Sequence, residues 1–255
     1  MTKKFFNIIA VAAVLLATGC KKDDSYKANF TTYSSGDDAL LKFIYASAYP
    51  ANPSVQLSID DVRVSSLITG RTPFPGGGYN TNGANWPDYL RVEPGTRNVK
   101  VSIPKKNTNV DSVVLFTSDI TVAAGVRHTA SIMDTFTKTK IVVVEDNISK
   151  PAANRIRYRF VNLIPNSNPL NLYYGGVLMA TGIAYNTPGV VFEMPVPAIN
   201  TSSWTIREVG GTTDLATYAS VNTLTTQRVF TAFAMGYKGS SVTATRPYIS
   251  FSINL

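Results

Sequence analysis

The sequence predicts an all-β fold built as two tandem β-sandwich domains, and three observations carry that prediction. Past residue 38 the hydropathy period is two almost everywhere. Val55, Leu57 and Ile59 alternate with Gln56 and Ser58, and Val99, Val101 and Ile103 alternate with Lys100 and Ser102. Side chains of a strand point alternately to opposite faces, so this period marks half-buried strands. Turn residues recur about every ten positions, the spacing of a sandwich or barrel, with no sustained helical period between them. Finally, the early part of the chain recurs in its later half.

The first residues read as an export leader. Lys3 and Lys4 precede an apolar run from Phe5 to Leu16 that only Asn7 interrupts. The run is too short to cross roughly 30 Å of hydrocarbon, which takes about 20 helical residues. Ala17, Thr18 and Gly19 lead into Cys20, the only cysteine. Charge, a short apolar core and small residues at the cut are the grammar of a signal peptide, here residues 1–19. With cysteine at the first mature position, the segment resembles the bacterial lipoprotein signal, in which a diacylglycerol is attached to the thiol before cleavage. It departs from that pattern where the usual leucine, three residues before the cysteine, is Ala17. The resemblance implies lipidation of Cys20, which also accounts for a lone thiol in an exported chain. Cys20→Ser is expected to release the protein from membranes without unfolding it. Cell fractionation checks this, and a variant with its leader cleaved that stays membrane-bound would count against the anchor.

Residues 20–38 read as a lipidated, flexible stalk, polar with scattered Tyr26, Phe30 and Tyr33. Lys21-Lys22-Asp23-Asp24 resembles the lysine-plus-acidic signal that sends lipoproteins of Bacteroidetes-type bacteria to the outer face of the outer membrane. The expected location is therefore the outer membrane, lipid-anchored and exposed at the cell surface.

The domains are expected at 39–147 and 154–255. Phe43-Ile44-Tyr45-Ala46-Ser47-Ala48-Tyr49-Pro50 matches Arg159-Phe160-Val161-Asn162-Leu163-Ile164-Pro165, and the strand from Val55 to Val62 matches Leu170 to Val177. These strands end in Asp60-Asp61 and Gly175-Gly176, residues suited to the positive φ of tight hairpins. Val122 to Asp134 aligns without gaps onto Leu224 to Gly236. The unit is too long for a solenoid repeat and is read as a domain of seven or so strands. The linker, Asn147 to Asn154, is short, so the sandwiches are expected end to end with limited freedom.

This pattern is similar to the bacterial family catalogued as domain of unknown function 4397. Tyr45-Ala46-Ser47 stands where the family has histidine-alanine-serine, followed by Pro50, Pro53 and the strand from Val55 to Asp61. Leu90 to Val99, with its internal Pro94-Gly95, resembles the family's second signature. In the second copy Phe192-Glu193-Met194-Pro195 stands in for it without the glycine. The resemblance implies two extracellular immunoglobulin-like sandwiches and no established activity.

The chemistry-bearing residues are few. Charged residues make up 16% of the chain and hydrophobic ones 44%, a globular composition. The formal net charge of +8 becomes +6 once Lys3 and Lys4 leave with the leader. The cations are scattered, so no nucleic acid is expected as partner. Arg155, Arg157 and Arg159 alternate with Ile156, Tyr158 and Phe160, a strand with one charged face. His128 is the only histidine, so any Ser-His-Asp or Cys-His set must use it. Its parity with Ala130 and Ile132, and its alignment with Phe230, make it a packing residue. The ligands of a structural zinc site are lacking, and no loop of calcium-ligand spacing occurs. No catalytic residue, metal or cofactor is expected.

One insertion stands apart, from about Gly70 to Asp88. It is rich in Gly, Asn and Pro and carries Phe74, Tyr79, Asn82 and Trp86, with Tyr89 just after. Long loops inside compact domains are usually functional or disordered. Aromatic faces beside amides suit sugar recognition. In the other reading, Trp86 and Tyr89 begin the next strand and plug the sandwich end. The leading expectation is a non-catalytic binding or adhesion module for polysaccharide or matrix, with a glycan or another surface protein as partner. The alternatives are a structural spacer or envelope assembly component and, more remotely, a β-sandwich hydrolase.

Overall fold

The computed structural model describes residues 37–81, 85–198 and 201–255. The leader, Cys20, the stalk up to residue 36 and Asn82 lie outside these. The described residues are almost wholly strand and loop, with two short 3₁₀ turns.

The first half is a sandwich of two sheets. One has the order β10 (Lys140–Glu145), β9 (Arg127–Met133), β1 (Ala39–Tyr45), β4 (Thr72–Phe74), with β6 (Leu90–Val92) also paired to β1. The facing sheet runs β3 (Val62–Arg63), β2 (Gln56–Ile59), β7 (Gly95–Pro104), β8 (Asp111–Val122). Leu41, Phe43 and Tyr45 of β1 meet Leu57 and Ile59, Val99 and Val101, and Ala130 and Ile132 in one core. The alternation read in the sequence thus sets the inward faces. His128 is buried among them, its Nε2 accepting from the Ala123 backbone N–H at 3.4 Å.

The second half repeats the plan. Its sheets are β14 (Val190–Pro195), β11 (Arg155–Asn162), β17 (Val229–Met235), β18 (Tyr248–Ile253), and β13 (Val177–Ile183), β12 (Leu170–Tyr174), β15 (Trp204–Glu208), β16 (Ala216–Tyr218). Tyr158, Phe160, Leu172, Trp204, Phe230 and Phe251 dominate the core, with the Trp204 indole bonded to Thr223 Oγ1 at 3.0 Å. Asp60-Asp61 and Gly175-Gly176 adopt positive φ at both central positions of the β2–β3 and β12–β13 turns.

The pairing fixes how the halves correspond. β1 runs parallel to β9 with Lys42 opposite Thr129 and Phe43 opposite Ala130. β11 runs parallel to β17 with Arg159 opposite Thr231 and Phe160 opposite Ala232. Since Thr129 and Thr231 are equivalent in the gapless repeat, Lys42 corresponds to Arg159 and Phe43 to Phe160. This is one residue away from the register read by eye, and a one-residue slip exchanges the two faces of a strand.

The halves meet through the outer faces of the β1–β9 and β11–β17 sheets rather than end to end. Ile44, Ala46, Ala48 and Met133 pack on Val161, Leu163, Phe233 and Met235. These side chains are apolar on the face opposite each sandwich core, so burying them against one another removes from water what would otherwise be two exposed patches.

The insertion crosses this seam. In the second half β14 continues from Val190 through Val191 to Phe192, opposite Phe160, Arg159 and Tyr158. In the first half Phe74 pairs with Phe43 and Leu90 with Leu41. Residues 75–89 therefore replace the single residue equivalent to Val191. They reach over to the second half, where β5 (Gly78–Tyr79) becomes the edge strand beyond β18, with Tyr79 opposite Phe251.

Candidate functional site

The aromatic residues singled out in the insertion do not converge on one surface. Phe74 sits in β4 and packs against the first core. Tyr79 packs against the second core, 6.2 Å from the Phe230 ring. Trp86 is 76% exposed. Tyr89 enters the seam, where its hydroxyl donates to Asp146 Oδ2 at 3.0 Å. Two glycines of the insertion, Gly77 and Gly78, serve close approach in this strap between the halves. A Cβ at Gly77, which has φ +83°, would lie 2.3 Å from the Trp86 carbonyl oxygen, and one at Gly78 would lie 2.6 Å from Pro73.

Around Tyr89 lies a polar network with approximate twofold symmetry. Glu145 pairs opposite His128, and Ile253 opposite Phe230, so Glu145 corresponds to Ile253 and Asp146 to Asn254. Lys42 Nζ donates to the Ile253 carbonyl, and its equivalent Arg159 donates to the Glu145 carbonyl at 2.9 Å. Thr129 Oγ1 donates to Asp146 Oδ2 at 2.6 Å, and its equivalent Thr231 donates to Asn254 Oδ1 at 3.1 Å. Asn254 Nδ2 donates to the Tyr89 hydroxyl at 3.1 Å. Each half thus places a cation on the backbone of the other, and Tyr89 bridges the two central side chains.

Burial governs the charges here. Removal from water lowers the Lys42 ammonium to about 8, against the opposing pull of Asp146. Burial likewise raises the Asp146 carboxyl, against the hydrogen bonds from Thr129 and Tyr89. It also raises the Tyr89 phenol, and the nearby Asp146 charge adds to that rise. The Tyr89 ring lies 4.5 Å from Lys42 Nζ, a favourable cation–π distance. Shifted groups in a cluster often mark catalytic sites. Here the void against Asp146 and Asn254 measures about 10 Å³, space for one water at most.

An accessible site lies elsewhere along the seam. A groove of about 610 Å³ opens between Ala48, Pro50 and the segment 134–138 of the first half and Tyr237 and Thr245 of the second. On its rim Phe136 is 68% exposed and holds φ +55°, directly after Asp134 at φ +62° and Thr135. A bulky residue in the left-handed region is a genuine outlier that the surroundings must enforce. The enforcing contacts are specific. The Phe136 N–H donates to the Tyr49 hydroxyl at 3.0 Å, and the two rings meet edge to face at 5.0 Å. The Tyr237 hydroxyl donates to Asp134 Oδ1 at 2.7 Å and lies 3.0 Å from Thr135 Oγ1. Burial pushes the Tyr237 phenol up to about 12. Nothing in the pattern Asp134-Thr135-Phe136 announces this site, since the strain arises from partners distant in sequence.

Among the described residues no group of three or more His, Cys, Asp or Glu is placed to hold a metal ion, and no helix is long and apolar enough to cross a membrane.

No curated protein matches the sequence. A solved structure of a candidate cell adhesion protein from Bacteroides uniformis is similar over 87% of this chain and 98% of its own, at 8% identity and a TM-score of 0.23. The family described as Domain of unknown function (DUF4397) matches residues 42–173, from β1 across the linker into β12. That span exceeds half of the chain, and the chain belongs to the DUF4397 family.

Proposed function

We propose that the protein is a lipid-anchored outer-membrane lipoprotein, exposed at the cell surface. In this reading residues 1–19 are its signal peptide and Cys20 its anchor. Its two tandem immunoglobulin-like domains act as a non-catalytic binding or adhesion module. The observation that carries the binding role is Phe136, an exposed aromatic ring held in left-handed backbone beside a groove of about 610 Å³. That volume is within the range of small-molecule sites, and a ring flanked by hydroxyls suits the apolar face and rim of a sugar. The non-catalytic reading draws on His128, the one histidine, which packs in the core, and on the small void, about 10 Å³, beside Asp146.

Phe136→Gly tests the reading. Glycine takes φ +55° without strain, which is worth about 1 kcal/mol. Loss of the edge-to-face pair with Tyr49 costs about the same. Stability is therefore expected to change by less than about 1 kcal/mol. Binding to the glycan or matrix protein found on an array is expected to weaken about tenfold, as roughly 1.4 kcal/mol of lost contact dictates. An array ligand whose affinity is unchanged in the variant would remove the groove from the account. The spacer reading draws on the welded seam, and it predicts crosslinks to envelope proteins with no array ligand.

A further inference from the structure

We propose a second, independent site: a basic groove at the β7–β8 hairpin that binds an acidic polysaccharide, one bearing carboxylate or sulfate groups. The groove measures about 550 Å³ and lies between the segment before β2, the residues after β3 and the hairpin 103–109. Arg63, Lys105 and Lys106 line it, and no carboxylate does. Its floor is apolar, formed by Pro53, Leu67 and Pro104.

Three features make it a built site. Its cations are unspent: among the described residues no ion pair engages Arg63, Lys105 or Lys106. Several cations elsewhere are taken up by carboxylates. Arg97 meets Asp60 and Glu93, Arg157 meets Glu193, Arg207 meets Asp214 and Lys238 meets Glu208. Asp111, which follows the hairpin at the start of β8, is held by Lys100 at 2.9 Å, and bonds from Ser102 and Lys100 lower its carboxyl to about 2. The wall is also fixed. Asn107 takes φ +60° at the tip, the Lys105 N–H donates to the Val110 carbonyl at 2.8 Å, and buried Gln56 donates to the Asn109 carbonyl at 3.0 Å. Arg63 is oriented by donating Nε to the Ser65 carbonyl at 2.7 Å and Nη1 to Asn109 Oδ1.

The chemistry selects the ligand. Clustered cations within a Debye length of one another sum their fields and favour a chain of repeated negative charges. The apolar floor suits the carbon face of a sugar ring. No aromatic side chain lines the groove, so it lacks the stacking platform on which single-stranded nucleic acid depends.

The inference rests on the surface-binding reading but uses a different site, so the two fail separately. The test is binding of the full-length protein and its Lys105→Gln/Lys106→Gln variant to polygalacturonate, heparin, dextran, anionic phospholipid vesicles and single-stranded DNA. Both lysines are exposed and bear no packing, so the fold is expected to stand. The expected result is salt-sensitive binding to one or both acidic polymers, none to dextran, and about tenfold weaker binding with a shallower salt dependence in the double variant. Unchanged affinity in the variant, equal binding to dextran, or stronger binding to vesicles or DNA would overturn it. If no acidic polymer binds while a Phe136-dependent ligand does, this inference falls and the adhesion reading stands.

Discussion

Between pH 8 and about pH 10 the protein should become more stable by about 2 kcal/mol, and Lys42→Met should abolish that gain. The sign follows from linkage. Lys42 titrates near 8 in the folded protein and near 10.5 when unfolded. In that window the unfolded chain holds a proton that the folded one has released, so stability rises with pH. Below pH 8 both states are protonated and the full cost of burying the ammonium is present. Above about pH 10 the gain is opposed, because phenols such as Tyr237, raised by burial, keep their protons in the folded state after the unfolded ones ionise. The other groups near the Lys42 ammonium are Asp146, Asp88, Arg127 and the Tyr89 ring. Asp146 acts with the opposite sign and in a different window. Its raised carboxyl makes stability fall as pH climbs from its unfolded value of 3.8 upward. The readout is the difference between urea-unfolding curves of the two proteins across the window. Parallel pH dependences would show that Lys42 is not the buried titrating group.

The sandwich architecture was legible because several core-facing strands keep a period of two. Val55, Leu57 and Ile59 face one core, and Ile156, Tyr158 and Phe160 the other, as their alternation with polar neighbours announces. The hairpin turns were legible because Asp-Asp and Gly-Gly are among the few pairs that hold positive φ twice. The repeat register around β1 was not. Ile44 and Val161 are apolar on the face that should have been polar, because that face is buried in the seam. With both faces apolar, parity carries no information, and the alignment slipped by one residue.

The same physics hid the polar network. Lys42, Thr129, Asp146 and Asn254 look like ordinary outward residues of half-exposed strands. Only their recurrence at equivalent positions, as Lys42 with Arg159 and Thr129 with Thr231, could have flagged them, and that needs the correct register. The insertion has a different ambiguity. Gly, Asn and aromatic residues compose a ligand loop and a strap alike, since both must turn tightly and present rings to an apolar surface. The reading in which Tyr89 plugs a sandwich end came near the structure, but the surface it fills joins both halves.

Replacing residues 75–89 with a single valine, as the second half has at Val191, should cost about 4 kcal/mol or more and uncouple the halves. The strap contributes the pairing of β5 with β18, the Tyr79 ring on the second core and a bond from Asn80 Nδ2 to the Ile249 carbonyl at 2.5 Å. It also supplies Tyr89. Burying each ring contributes about 2 kcal/mol, and the bonds to Asp146 and Asn254 add to that. Without the strap, β18 becomes an uncovered edge, and its sequence Tyr248–Ile253 carries no charge to discourage pairing with another chain. The variant is therefore expected to unfold in two calorimetric steps instead of one and to aggregate more readily. Tyr89→Phe isolates the bridging hydroxyl. It keeps the ring over Lys42 but leaves Asp146 and Asn254 each one partner short, a cost of about 1–3 kcal/mol. If the valine-bridged chain melts in one step at the temperature of the parent, the seam core of Ile44, Val161, Phe233 and Met235 holds the halves together by itself, and the strap is a passenger.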